Sequence, residues 1–395
     1  MDLAERIARR RSQATEDRLV VDWDALNPGV HLPEPVGREA LFEALFDAID
    51  PVFDETLPPN VYVWGPPGSG KSAIVSALIP TLKEVLSRHQ PVYTATRGGS
   101  ELSGMRFVYI DARQASSRFR LYRQTLDAIR TGAVPERGIG TEELHEQLRE
   151  ELSVVEGALL AIDHLEESNT PSLEQVADVF GDLEKVSWMG IGRTPPEDLA
   201  VAPPSAGVHI PPYSYELVDI LTVRATRGLS RNLNHVHARR LAEWADGNAH
   251  DALGALLVAA VSATNAGRTR IHAEDINRGI DEIPADGVPL GRLVALSENE
   301  RTIIRKLLDR PHEDARTIDA LADDISAQTD LTSSTVKRLL YELAQNDILS
   351  RVQVSPDNRV VGRKPSKVTP NFSRTLFEHL YEPDVGDPQP MSGRP

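Results

Sequence analysis

Asn60-Val61-Tyr62-Val63-Trp64-Gly65-Pro66-Pro67-Gly68-Ser69-Gly70-Lys71-Ser72-Ala73 decides the fold. A short apolar strand, Asn60–Trp64, runs directly into a glycine loop, and the apolar-periodic AIVSALIPTLKEVL that follows reads as a helix. Gly65 to Ser72 match G-x-x-x-x-G-K-[ST] in full. Gly65 and Gly70 let the backbone wrap a phosphate with its N–H groups turned inward. Lys71 supplies a point charge for the β and γ phosphates. Ser72 offers a hydroxyl to Mg²⁺ at the start of the helix, where the helix dipole also favours an anion. A chance glycine turn is the plainer reading, but it explains neither the strand before nor the helix after. The expected ligand is a nucleoside triphosphate, ATP (or ADP) with Mg²⁺, on Gly65, Pro66, Pro67, Gly68, Ser69, Gly70, Lys71, Ser72 and Ala73.

Working outward, further strands are predicted at Arg106–Asp111, Ala158–Asp163, Trp188–Gly192 and up to Ile210, with helical stretches between them. Strands alternating with helices predict an α/β core, a parallel sheet covered on both faces. The apolar strand ending at Asp163 is the expected second nucleotide element, its carboxylate serving Mg²⁺ through a water. Hydrolytic ATPases of this architecture place Glu next, to orient the attacking water; here the residue is His164. Glu166 and Glu167 follow on the turn beyond the strand, and their reach is left open. Slow hydrolysis with His164 merely capping the strand, and active hydrolysis, are both left standing.

Length predicts two or three domains. The expected boundaries are a charged arm at 1–20, the nucleotide core at 21–210, a helical lid at 211–285, a third domain at 286–382 and a tail at 383–395 that is disordered by composition. The chain has no cysteine, which excludes disulfides and thiolate zinc sites. It has no apolar run near membrane-spanning length and no apolar block at its start, so no membrane partner and a cytoplasmic location are expected. Trp64, Trp188 and Trp244 sit in apolar contexts and read as core.

The net charge is −16, which looks wrong for a nucleic-acid binder. Yet the chain has 7 Lys against 36 Arg. Few Lys, many Arg and excess acid fit a salt-adapted proteome, so local charge is the better guide. An acidic protein with no polyanion partner is the alternative. From Arg351 to Arg374 six bases (Arg351, Arg359, Arg363, Lys364, Lys367, Arg374) face one acid, Asp357. This stripe follows three predicted helices, 298–310, 317–328 and one capped at Thr332-Ser333. The third buries Val336, Leu339, Leu340 and Leu343 and leaves Ser334, Thr335, Lys337, Arg338 and Tyr341 outside. Helix, helix, capped helix and alternating strands read as a winged helix-turn-helix, with Ser355–Asn358 at the hairpin tip. Its expected partner is double-stranded DNA, contacted through Ser334, Thr335, Lys337, Arg338, Arg351, Arg359, Arg363, Lys364 and Lys367. Winged helices also serve as protein-binding modules, with such a wing a solvated edge.

Together these segments resemble the archaeal origin-recognition (Orc/Cdc) initiator family of AAA+ ATPases, over most of residues 20–380. LPEPVGREALFEALFDAI at 32–49, PPNVYVWGPPGSGKS, FVYIDARQASSRFRLYRQTLDAI at 107–129, VPERGIGTEEL at 134–144, PPYSYELVDILTVRA at 211–225 and GNAHDALGALLVAAVSA at 247–263 carry the resemblance. It implies a P-loop AAA+ core, a helical lid and a C-terminal winged helix. It sets Gly37-Arg38-Glu39 near the adenine and adds Tyr213 and His250 to the nucleotide contacts. The departures fall on catalytic positions. His164 replaces the usual Glu, Arg193 the usual sensor Asn and His250 the usual lid Arg, and 195–208 lacks the arginine of a finger. Asp163, His164 and Arg193 are the catalytic candidates, with hydrolysis expected to be weak or absent. The implied function is recognition of origin duplex DNA and the start of replication, by a monomer or DNA-dependent oligomer, with a replicative helicase or initiator paralogues as further partners. The alternatives are an ATP-stabilised DNA-binding regulator that does not initiate, and a signalling NTPase with a protein-binding winged helix.

Overall fold

The structure is a computed structural model and describes residues 18–88, 104–130, 134, 138–167, 169–284, 287–288, 290–294, 296–310, 316–353 and 366–381. It divides into two compact units: Val30–Ile220 with Asp246–Ala249, and Met1–Gly29 with Leu221–Ala245 and His250–Pro395, as far as these are described. In chain order the helices are α1 (Trp23–Leu26), α2 (Glu39–Ala48), α3 (Lys71–Arg88), α4 (Arg118–Ile129), α5 (Thr141–Ser153), α6 (Leu173–Phe180), α7 (Glu216–Gly228), α8 (His235–Ala245), α9 (Ala249–Asn265), α10 (Ala273–Glu282), α11 (Leu290–Val294), α12 (Glu298–Leu308), α13 (Ile318–Ser326), α14 (Ser333–Gln345) and α15 (Arg374–Tyr381). The strands are β1 (Val61–Trp64), β2 (Met105–Asp111), β3 (Gly157–Asp163), β4 (Val186–Gly192), β5 (Ala206–His209), β6 (Leu349–Gln353) and β7 (Ser366–Pro370).

The first unit is built on a five-stranded parallel sheet ordered β2-β3-β4-β1-β5. Successive side chains of a strand point to opposite faces, and here both faces are dry. Leu160 and Ile162 pack with α4, α5 and α6 around Leu121, Leu144 and Val176. Leu159 and Ala161 pack with α2 and α3 around Leu45, Ile74 and Leu78. That explains why β3 reads as an unbroken apolar run, buried from end to end. Burying each such Leu or Ile contributes about 1.5–3 kcal/mol. The parallel register also sets Asp111 level with Asp163 and Trp64 level with Gly192, so the acids and the glycine loop meet at the carboxyl edge of the sheet. Trp188 is buried in the core; Trp64, half-buried, packs against the core and stacks on His209 at 4.0 Å, and Trp244 is half-buried.

In the second unit α9 is apolar on every side and buried through Ala255–Ala260. The segment before it is pinned at its start: Ser230 N–H donates to the Leu19 carbonyl at 2.9 Å, and Arg224 donates to the Asn27 carbonyl. Helices α12, α13 and α14 are followed by the antiparallel pair β6-β7. Ser297, Thr317 and Thr332 cap the three helices. Val336, Leu339, Leu340 and Leu343 form the buried stripe of α14. The sequence pattern predicts no helix after the strands, yet α15 follows them, with Leu376, Phe377 and Leu380 buried and Ser373 Oγ 3.2 Å from Glu282. No helix among the described residues is long and apolar enough to cross a membrane.

Candidate functional site

β1 ends at Trp64 and the chain turns through Gly65–Gly70 into α3. Gly68 and Gly70 have φ of +68° and +89°, where a side chain is strained. Space forbids side chains as well. A Cβ on Gly65 would lie 2.0 Å from the Ile210 carbonyl oxygen, on Gly68 1.8 Å from Asn248 Oδ1, and on Gly70 2.3 Å from the Tyr213 hydroxyl. Asn248 and Tyr213 therefore back the loop, and Ala249 N–H donates to the Gly68 carbonyl at 3.1 Å. Arg38 locks this arrangement. Its guanidinium lies 3.6 Å from the Tyr213 ring centroid and donates to the carbonyls of Ser69 at 2.7 Å and Pro211 at 2.9 Å. Lys71 Nζ donates to the carbonyls of Gly65 at 2.8 Å and Pro66 at 2.7 Å. Burial pushes its ammonium from 10.5 down to about 8, against the pull of Asp163 in the other direction.

Asp163 is buried at the end of β3. Its carboxylate accepts from the Tyr109 hydroxyl at 2.8 Å and from the His164 N–H at 2.8 Å. Burial alone would raise its pKa; His164, Ser72, Tyr109 and the His164 N–H together outweigh it and hold the carboxyl below its ordinary 3.8. Ser72, the other oxygen group expected at Mg²⁺, is among the groups that lower the Asp163 pKa. Beside them Arg113 grips Asp111 with Nε at 2.9 Å and a terminal nitrogen at 2.7 Å, a two-pronged pair.

The turn after β3 brings in one acid and spends the other. His164, Glu166 and Asn169 all have positive φ, near 60°. Glu166 accepts from the Leu173 N–H at 2.7 Å and so caps α6. Glu167, its side chain 3% exposed, folds back to the strand edge. Its Oε1 lies 3.2 Å from His164 Nδ1 and 2.7 Å from Arg193, while His164 Nε2 is 3.6 Å from Asp163. Of the two acids whose reach the sequence leaves open, Glu167 reaches and Glu166 does not. Tyr109 and Asn248 are the contacts that the sequence does not nominate, the polar Tyr109 between Val108 and Ile110 being the one faint signal; Arg38 is named through the resemblance and Glu167 as an acid of open reach. Three carboxylates (Asp111, Asp163, Glu167) and three cations (Lys71, Arg113, Arg193) converge here. Such a cluster can place and neutralise phosphates, but the position next to Asp163 offers an imidazole in place of a carboxylate for a water.

His250 belongs to the second unit, on α9, where it lines a small cavity with Asp251, Ile283 and Phe372. In the same unit Ser334 and Thr335 sit in the first turn of α14, their hydroxyls 3.0 and 2.8 Å from Thr332 Oγ1. Lys337 pairs with Asp319, and Arg338 with Glu342 at 2.6 Å. Arg351 donates to Ser366 Oγ at 2.9 Å and lies over the Tyr341 ring; Lys367 is half-buried on β7. Arg374 is taken up by Glu378 and the Leu308 carbonyl. Arg359, Arg363, Lys364 and the hairpin tip lie outside the described residues.

A parallel sheet ordered β2-β3-β4-β1-β5, a glycine loop after β1 and an acid at the end of β3 define a P-loop nucleotide-binding protein of the AAA+ class. Residues 34–189 match the AAA ATPase domain model. An ORC1-type DNA replication protein 1 of Sulfolobus acidocaldarius is 27% identical over 296 residues, 70% of each chain. Among solved structures, the Aeropyrum pernix ORC1 protein in complex with DNA superposes with a TM-score of 0.61 at 21% identity, over 92% of this chain and 96% of that one. Cdc6p of Pyrobaculum aerophilum gives 0.51 at 18% identity, over 92% and 98%. Residues 34–189 thus carry an AAA ATPase domain, and beyond it the chain is similar to archaeal ORC1-type replication proteins in sequence and to Orc/Cdc6 structures in fold.

Proposed function

We propose that this protein is an ATP-binding replication initiator that recognises duplex DNA at an origin. The observation that carries the nucleotide half is a glycine loop too tight for side chains, with a buried Asp163 held in its ionised form at the end of the neighbouring strand. In this reading the loop N–H groups and Lys71 hold the phosphates, and Ser72 and Asp163 hold Mg²⁺, which neutralises phosphate charge. The donor set fits: a hard cation prefers oxygen ligands, and both groups present oxygen. Arg193, anchored by Glu167, offers a cation at the same edge. His164 stands where a water-orienting carboxylate belongs, so ATP is held far longer than it takes to bind.

The DNA half is supported by the order α12-α13-α14-β6-β7, read as a winged helix-turn-helix, and by the relative solved in complex with DNA. Ser334, Thr335, Lys337 and Arg338 on α14, with the bases of the wing, face the duplex, and Lys337 and Arg338 exchange Asp319 and Glu342 for phosphate. Footprinting on the DNA flanking the protein's own gene, against random duplex, tests the reading. Protection of a discrete site is expected, and equal affinity for both DNAs would sink it. Steady-state ATP turnover is expected below ~1 per minute, because the water-orienting group is missing.

A further inference from the structure

The bases of the expected DNA-reading helix are mostly engaged by acids, whereas a group of arginines in the helical part of the second unit is not. No Asp or Glu occurs from Ile220 to Ala242, in a chain with 59 acids among 395 residues. Five arginines fall in that stretch: Arg224, Arg227, Arg231, Arg239 and Arg240. Arg224 is turned inward onto the Asn27 carbonyl. Arg227, Arg231 and Arg240 are exposed, and no carboxylate lies within 4 Å of them among the described residues. Long-range folding adds a sixth arginine. The loop between α7 and α8 and the approach to α10 enclose a cavity of about 640 Å³, lined by Arg231, Arg270, Asn232, Asn234, His237 and His272. Arg270 is exposed, and no carboxylate lies within 4 Å of it among the described residues. The acid on this wall, Glu274, is held by Arg268. His237 Nδ1 is buried without a hydrogen-bond partner among the described residues. In an acidic protein, unneutralised guanidiniums around an open cavity with amide side chains and an unsatisfied imidazole nitrogen match a phosphate-rich polyanion by charge and by hydrogen-bond donors.

We propose that this cavity and the Arg227–Arg240 face form a second duplex-DNA contact, to the phosphodiester backbone, separate from the α14–wing surface. The contact positions the duplex and carries no sequence information, because arginines here meet phosphates and no recognition helix accompanies them. It deepens the DNA-binding reading and rests on it.

The test compares the full-length protein with Arg231→Ala/Arg270→Ala and Arg231→Lys/Arg270→Lys, by fluorescence anisotropy on a labelled duplex across a salt series. Removing two phosphate contacts should weaken binding about tenfold at low salt and lower the slope of log K against log salt by about 1.8. The lysine pair should keep the wild-type slope, which a merely misfolded site would not do. Fluorescent-ATP affinity should be the same in all three. If the wild type binds no duplex, the proposed function fails and this inference with it. If it binds and loses affinity with Lys337→Ala/Arg338→Ala while the alanine pair at 231 and 270 keeps both affinity and slope, this inference alone is overturned. An unchanged slope with loss of pyrophosphate-dependent thermal stabilisation in a Lys71→Ala background would make the cavity a small-anion site, and would overturn it too.

Discussion

Replacing Gly70 with Ala adds one methyl group to the phosphate loop, and two separable penalties follow. The backbone at φ +89° is left-handed, which costs an L-residue about 1–2 kcal/mol. The new Cβ would lie 2.3 Å from the Tyr213 hydroxyl, and overpacking of that kind costs about 1–3 kcal/mol. Tyr213 cannot simply swing away, because Arg38 lies over its ring and is itself tied to Ser69 and Pro211. A total loss of about 2–5 kcal/mol in the unit carrying the loop is expected, together with loss of nucleotide affinity. Gly138→Ala separates the terms: Gly138 has φ +87° with no described atom within 4 Å of its would-be Cβ, so the backbone penalty dominates. Gly70→Ala/Tyr213→Phe removes the clashing hydroxyl and leaves the ring carbon at 3.1 Å, so about 1–2 kcal/mol should return. Urea unfolding of the four proteins, read as midpoint shifts at constant slope, supplies the numbers. If the double variant is no more stable than Gly70→Ala, or if Gly70→Ala costs no more than Gly138→Ala, then Tyr213 does not brace the loop as described.

Three further outcomes are expected. Removing Glu167 by Ala strands Arg193 and releases His164; breaking a buried pair costs about 3–5 kcal/mol, but Arg193 is 36% exposed and can hydrate, so about 2 kcal/mol should appear in the urea midpoint. The lowered pKa of Asp163 adds stability that is complete above its unfolded value of 3.8 and disappears as pH falls through the lower folded one, so Asp163→Asn should flatten the acid limb of a thermal-stability profile; an unaltered limb would contradict the stabilisation of the carboxylate by His164 and Tyr109. Lys71 titrates near 8 when folded and 10.5 when unfolded, so between those values the unfolded chain binds more protons and stability rises with pH; relative to Lys71→Met, the nucleotide-free protein should gain about 3 kcal/mol across that window, and a flat difference would refute the shift.

The strand, loop and helix around Gly65–Ser72 were legible because each element follows from a local rule: an apolar run, glycines where φ is positive, and a helical period after them. The same holds for Asp163 at the end of a fully buried strand and for the cap of α14. The sequence by itself therefore determined the sheet, the phosphate loop, Lys71, Ser72 and Asp163, and the order of three helices and a β pair. Tertiary structure alone decided what surrounds them. Arg38 reaches Ser69 across 31 residues and Pro211 across 173. Whether Glu166 or Glu167 turned back to the strand depended on a loop whose left-handed residues cannot be inferred from spacing. The pairing of Lys337 with Asp319, and the meeting of Arg231 with Arg270, likewise join positions on different elements. Local propensity acts over a few residues, whereas charge pairing and packing act through space between residues that the fold alone makes neighbours.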